Sequence, residues 1–267
     1  MLATTRMPTL FIPHGGGPCF FMDWQPAQTW DRLAVYLGQI SEQLPSRPRA
    51  IVVISAHWLT ETVTVHIGEK PALLYDYSGF PEHTYALTYP VAGQPALASE
   101  IVTLLQDAGI AVQTEASRGL DHGVFIPLKV MFPNADIPVV QISLQQQLDP
   151  EYHRQMGAAL SSLRDQGVLI VGSGMSFHNL RMFDARATVP SAQFDAWLTA
   201  AVEQPDAAVR NQQLQAWQSA PAARLVHPEE EHLIPLMVVA GAAGQDQGQQ
   251  VFVDQIQSVT ISAYQFG

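Results

Sequence analysis

Five of the nine histidines in this chain stand where a fold presents chemistry rather than packing. His14 follows the apolar run 9–12 through Pro13 and opens onto Gly15-Gly16-Gly17. His57 follows residues 50–54, a run dominated by β-branched side chains, through Ser55 and Ala56. His178 follows the run 168–171 by way of Gly172-Ser173-Gly174. His122 lies between Asp121 and Gly123, and His232 follows Glu229-Glu230-Glu231 behind Pro228. Open α/β sheets bind ligands beyond the carboxyl ends of their strands, so several of these imidazoles can converge at one edge. Each alone has a plain alternative, such as a ring bonding a loop. Five placed alike point to one site. Neutral imidazoles meeting at a point make a metal site. Cysteine is absent from the group, which excludes a structural zinc finger, and imidazole suits both Zn and Fe(II). No short His-x-x-His spacing occurs, so the fold itself must assemble the site.

The elements that must position these residues read as alternating strands and helices. Residues 9–12, 50–54, 137–144 and 168–171 are short apolar runs without polar alternation, as in strands buried on both faces. Residues 62–67 alternate, which predicts a half-buried strand with His66 on its solvent side, and 110–114 predicts another short strand. Trp30, Leu33, Tyr36, Leu37 and Ile40 give residues 28–44 helical periodicity. Pro95 opens a helix over 96–108. A short helix is expected over 125–132, with His122 in the loop before it. Residues 149–166 predict an amphipathic helix with His153 on its solvent face. Residues 191–203 and 206–217 read as helices. Pro228 opens the last strong helix, placing Glu229 to His232 in its first turn, where glutamates suit the helix dipole. Residues 251–266 supply one or two final strands. Residues 71–93 are rich in Pro, Gly and aromatics, the composition of a wall or plug over a site. The pattern predicts an α/β fold: a single domain over residues 1–267, a sandwich with a central mostly parallel or mixed sheet flanked by helices.

Composition narrows the function classes. The chain is 47% hydrophobic and 14% charged, with a formal net charge of -11. Charge this sparse, against roughly 25% in ordinary soluble domains, hints at surface buried in a homo-oligomer. No basic patch is present, so nucleic acid is not an expected partner. Cys19 is the one cysteine. It cannot form an internal disulfide, which suits a reducing compartment, and it reads as a small buried hydrophobe rather than a reactive thiol. The glycines after His14 lack the GxGxxG or Gly-Lys-Ser/Thr pattern of phosphate loops. The N-terminal residues lack the features of a secretory leader, and no apolar run reaches the roughly 18 residues that span a bilayer. A cytoplasmic protein without membrane contact is the expectation.

Taken together, Pro13-His14-Gly15, Ser55-Ala56-His57-Trp58, Asp121-His122-Gly123, the segment from Gly172 through His178 to Leu180, and Pro228-x-x-Glu231-His232-x-x-Pro235 resemble the class III extradiol dioxygenases of the LigB superfamily. The stretch from Tyr75 through Tyr77, Phe80, Tyr85 and Tyr89 to Gly93 is similar to the 4,5-DOPA dioxygenase-like branch. The resemblance implies an oxidoreductase that uses a non-haem metal to insert both atoms of O2 into a catechol-type ring. It implies Fe(II) for activity, with Zn(II) as a metal the purified protein can carry. His14, His57 and His232 would hold the metal. His178 would be either a fourth ligand in a zinc form or an acid/base beside the substrate, and His122 a second catalytic histidine. The wider superfamily uses two histidines and a glutamate. Here Glu231 and His232 are adjacent, neighbours on a helix diverge by about 100°, and His232 is the one expected to reach the metal. Two other readings stay open on the residues alone: a zinc hydrolase, and a non-enzymatic metal- or ligand-binding protein on the same fold.

Overall fold

The computed structural model describes residues 6–267; residues 1–5, part of the segment read for a leader, lie outside them. The chain runs β1 (Thr9–Pro13), α1 (Asp31–Gln43), β2 (Ala50–Thr60), β3 (Val63–His66), α2 (Pro95–Asp107), β4 (Val112–Glu115), α3 (His122–Met131) and β5 (Val139–Gln145). It continues through α4 (Pro150–Ala159), β6 (Val168–Gly174), α5 (Thr188–Val202), α6 (Ala207–Gln215), α7 (Ala223–Val226) and α8 (Ile234–Ala243) to β7 (Gly248–Ile256) and β8 (Val259–Phe266). All eight strands join one sheet in the order β4-β3-β5-β2-β6-β1-β8-β7. The central four, β5, β2, β6 and β1, are parallel. Antiparallel pairs join β3 to β5, β8 to β1 and β7 to β8. The sheet is therefore mixed with a parallel centre, as the unbroken apolar runs require: strands covered by helices on both faces have no polar side to alternate with.

α1 and α3 pack together, with α3 on β2 and β6. α8 lies against β1, β6 and β2 and is backed by α4. Every residue of α8 is buried, so this helix is a second core element rather than an amphipathic cover. Gly174 is fixed by the approach of the turn before α8, because a Cβ there would overlap the carbonyl of His232. Among the described residues no helix is long and apolar enough to cross a membrane. Cys19 is buried as expected, and burial pushes its thiol pKa up.

Several expectations are corrected. β2 does not stop at Ile54 but continues to Thr60, its pairing with β5 shifting between Ile54 and Leu59. The residues predicted as one helix over 149–166 split into α4 and a 3-10 segment, Ser161–Gln166. His66 is buried, not solvent-facing, because the backbone at Gly68 and Ala116 closes over it. His153 is also fully buried. Its Nε2 accepts from the Gln145 N–H at 3.0 Å and its Nδ1 donates to the Asp149 carbonyl at 2.7 Å. It thus ties the end of β5 to the start of α4, and α4 carries its polar face elsewhere.

This ring must stay neutral to accept at Nε2. Burial lowers the His153 pKa to about 4, below an unfolded value near 6.5. The bond therefore stabilises the fold fully above about pH 6.5, and that contribution is lost as pH falls toward 4. Urea unfolding at pH 7 and pH 4.5 should show His153→Gln losing less stability than the parent chain. The slope should be shallower by up to one proton, about 1.4 kcal/mol per pH unit. Identical slopes would remove this role.

Candidate metal centre

The histidines are brought together by strand register. Ile12 pairs with Ser173, and Ser173 pairs with Ser55, so the three lie on one rung. His14 and His57 each come two residues after that rung. Their ring centroids are 4.8 Å apart and their Nε2 atoms 3.1 Å apart. His232 arrives in the turn that precedes α8, not in the helix itself. Its carbonyl accepts from the Met175 N–H at 3.0 Å, which ties it to the end of β6. Its ring lies 5.2 Å from His14 and 4.9 Å from His57. The nitrogens these three offer lie within 4.8 Å of one another.

Hydrogen bonding fixes which nitrogen each ring presents. The Ser173 hydroxyl donates to the Gly123 carbonyl, an atom that can only accept. Ser173 Oγ must then accept from His14 Nδ1, 3.1 Å away, which leaves the His14 Nε2 lone pair free. The Glu231 carboxylate accepts from His232 Nδ1 at 2.7 Å, with the same result at His232. Two imidazole nitrogens as close as those of His14 and His57 share either a proton or a cation. Buried carboxylates and hydroxyls behind the rings are the usual support of histidine metal ligands. The donor set therefore fits a transition-metal ion.

Electrostatics agree. Burial, reinforced by the neighbouring histidines, lowers His14 well below the usual range. Burial and His122 bring His57 to about 4, against the opposing pull of Asp121 and Asp76. Burial also lowers His232, although Glu231 works the other way. Neutral rings with free lone pairs are the state a metal needs.

Two further histidines flank this group. His122 is the first residue of α3 rather than a loop residue, with Asp121 just before the helix. Asp76 Oδ1 accepts both its backbone N–H, at 2.9 Å, and its Nδ1–H, at 2.8 Å, which engages Nδ1 and leaves Nε2 as the ring nitrogen not held by the carboxylate. The His122 ring lies 4.0 Å from that of His57. His178 stacks on His232 at 3.3 Å between centroids, and its Nδ1 is 3.1 Å from Glu231 Oε1. One carboxylate oxygen thus serves two histidines. Burial would raise Glu231, but the bonds from His178 and His232 outweigh it and hold the carboxyl well below the usual range. Asp76 is lowered in the same manner by His122, against burial.

The strand that carries His57 is braced from behind. Asp121, fully buried, accepts from Ser55 Oγ at 2.6 Å, Gln141 Nε2 at 2.5 Å and Arg118 Nη1 at 3.0 Å. Arg118 Nη2 donates to the His57 carbonyl at 3.0 Å. Gly123 lets α3 approach this rung, since a Cβ there would collide with Ser55 Oγ and come within 3.1 Å of the His57 ring.

All five histidines singled out from the sequence line one cavity of about 470 Å³. The positioning groups were not anticipated: Asp76, Asp121, Ser173, Arg118, and Glu231 as a partner of His232 and His178 rather than its rival. Asp76, a carboxylate inside an aromatic segment, and Asp121 and Glu231, each next to a singled-out histidine, had local signals. The others are recognisable only once register is known.

Comparison with known proteins bears on the chemistry. Residues 8–266 match the family described as the catalytic LigB subunit of aromatic ring-opening dioxygenase. Dioxygenase tasH of Hapsidospora irregularis is 37% identical, over 99% of this chain and 88% of that protein. The 4,5-DOPA dioxygenase extradiol of Beta vulgaris is 38% identical, over 89% of this chain and 87% of that one. A crystal structure of an uncharacterized protein from Escherichia coli K12 superposes with a TM-score of 0.75 at 32% identity, covering 98% of this chain and all of the other. LigB dioxygenases are non-haem metal enzymes acting on an aromatic substrate and O2. With the family match running from before β1 to the end of β8, this chain belongs to the LigB family and is a metal-dependent extradiol ring-opening dioxygenase.

Proposed function

We propose that His14, His57 and His232 hold a single Fe(II) ion, and that the enzyme opens a catechol ring beside its two hydroxyls. The observation that carries this is the convergence of three neutral imidazoles within 4.8 Å, two of them locked in the Nδ1–H tautomer. Fe(II), when bound, supplies a centre that holds both catechol oxygens next to O2 and passes electrons between ring and oxygen. The overall reaction balances without a reductant. The ring C–C bond outside the diol and the O–O bond both break. One ring carbon becomes a carboxylate and the other an aldehyde, and both oxygen atoms stay in the product.

The chain's own groups move the protons. His178, held at Nδ1 by Glu231, keeps Nε2 for a catechol hydroxyl proton. His122, held at Nδ1 by Asp76, keeps Nε2 as the second base or donor on the other side of His57. Imidazole is suited to both directions of transfer near neutral pH. His178 falls outside the compact group formed by His14, His57 and His232 and is engaged at Nδ1 by Glu231, which supports acid/base work. Tyr77, Phe80 and Trp24 wall the cavity and limit water around the reacting ring.

Anaerobic loading with Fe(II) followed by a catechol and air should give O2 uptake in equal amount to catechol and a yellow ring-opened product. Zinc-dependent hydrolysis without O2 would instead support the hydrolase reading. His57→Ala should fall to less than about a tenth of the parent metal content while keeping the parent's far-UV circular dichroism. Full metal content in that variant would remove His57 from the ligand set. His178→Ala should keep metal and bind catechol within a few-fold, yet lose about 10²–10⁴ in kcat; near-parent turnover would end its acid/base role.

A further inference from the structure

His178 is carried to the cavity by residues 175–179, which belong to neither strand nor helix. No regular ladder fixes such a stretch, so its fastenings come from outside it. Met175 N–H donates to the His232 carbonyl at 3.0 Å, and His178 N–H to the Val226 carbonyl at 3.1 Å. Asn179 Nδ2 donates to the Leu225 carbonyl at 2.7 Å. Between them, Ser176 is gripped from two sides. Its Oγ accepts from the Ser262 N–H of β8 at 2.7 Å, and its carbonyl accepts from His227 Nε2 at 3.0 Å. Leu225, Val226 and His227 are consecutive, at the end of α7 and just past it. One short stretch therefore holds Asn179, His178 and Ser176 together.

His227 is fully buried, its ring against those of Phe194 and Trp217 at 5.3 and 6.0 Å between centroids. A carbonyl only accepts, so Nε2 carries the proton and Nδ1 a lone pair. That lone pair has no partner among the described residues. Burial pushes the ring's pKa down to about 3, so it is neutral and Nε2–H is its one donor. A buried polar atom without a partner is costly, and a phenylalanine would fill the same apolar place without that cost. What the histidine adds is the bond to Ser176, two residues before His178. The chain then runs from His227 through Pro228 to Glu231 and His232. His178 must meet both, with Nδ1 3.1 Å from Glu231 Oε1 and its ring stacked on His232 at 3.3 Å. The bond from His227 to Ser176 joins the segment that carries His178 to the segment that carries its partners.

We infer that His227 is a positioning residue for His178. Its Nε2–H holds the Ser176 carbonyl and thereby sets how the His178 ring stands against Glu231 and His232. His227 itself is not among the residues that line the cavity. This inference rests on the acid/base reading of His178 above and adds the group that aims it.

Two substitutions test it. His227→Phe keeps an aromatic ring and removes the donor, and His227→Gln keeps a donor. With Fe(II) loaded, His227→Phe should retain the parent's metal content and a KM within a few-fold, while kcat falls about 10–10²-fold, the scale of a reacting group displaced by about an ångström. His227→Gln should recover most of that loss. In a His178→Ala background His227→Phe should cost no further kcat, because the ring it aims is gone. A general loosening of the fold would cost the same in both backgrounds. Placement of His178 is read apart from turnover by NMR of the zinc-loaded protein labelled at histidine nitrogen. The His178 Nδ1 shift should move in His227→Phe and return in His227→Gln, and His227 of the parent should be a neutral Nε2–H ring. Equal losses of kcat in the two backgrounds, an unmoved His178 shift, or an Nδ1–H tautomer at His227 overturns the inference. The tautomer needs only the parent protein, should His227→Phe not fold. If His178→Ala itself keeps near-parent turnover, the acid/base reading falls, and the His178 shift alone decides whether His227 positions that ring.

Discussion

Ser173 has one hydroxyl proton, and its destination decides the chemistry of His14. The Gly123 carbonyl takes that proton, so the Ser173 oxygen has only acceptance left to offer. His14 must meet it with Nδ1–H and turn an Nε2 lone pair toward the cavity. The bond works because β6 and α3 are held at a fixed separation. Ser55, on the same rung, donates to Asp121 in the residue before α3. Gly123 removes the Cβ that would keep α3 away. One rung of the sheet thus docks a helix, fixes a tautomer and sets the level from which His14 and His57 project.

The remaining histidines repeat this arrangement with carboxylates. Asp76 anchors His122, and Glu231 anchors both His178 and His232. Each anchor takes the Nδ1 proton and leaves Nε2 for the site. Burying so many imidazoles close together carries a cost: burial and mutual repulsion lower the pKa values of His14, His57 and His232, which disfavours a second proton on each ring. That same depression keeps them competent to bind metal. The two carboxylates stand one hydrogen bond behind the rings and supply negative charge to the neighbourhood.

Much of this was legible in the sequence, and the reasons are physical. Parallel strands covered on both faces have to be apolar without interruption, so the runs leading to His14, His57 and His178 stood out. Residues at the ends of such strands gather at one edge by topology, which is why those histidines could be grouped before any geometry was known. The start of α3 was hidden because Gly123 is a poor helix former and Pro127 lies inside the helix. His66 and His153 were misassigned for a shared reason. Alternation and amphipathicity report which side of an element is polar, not whether a loop or a neighbouring strand end covers that side. The anchors were hidden more deeply. Asp76 and His122 are separated by 46 positions, and Ser173 matters only through its rung partners.

Glu231 and His232 show how adjacency in sequence resolves into division of labour. A helix would have turned these neighbours about 100° apart and made them competitors for one position. In the turn before α8 the carboxylate instead folds onto Nδ1 of its own neighbour. Glu231 then orients the His232 ring rather than competing with it. Three neutral imidazoles would offset none of the charge of a divalent ion, so under the proposed ligand set a deprotonated catechol would supply what the protein does not.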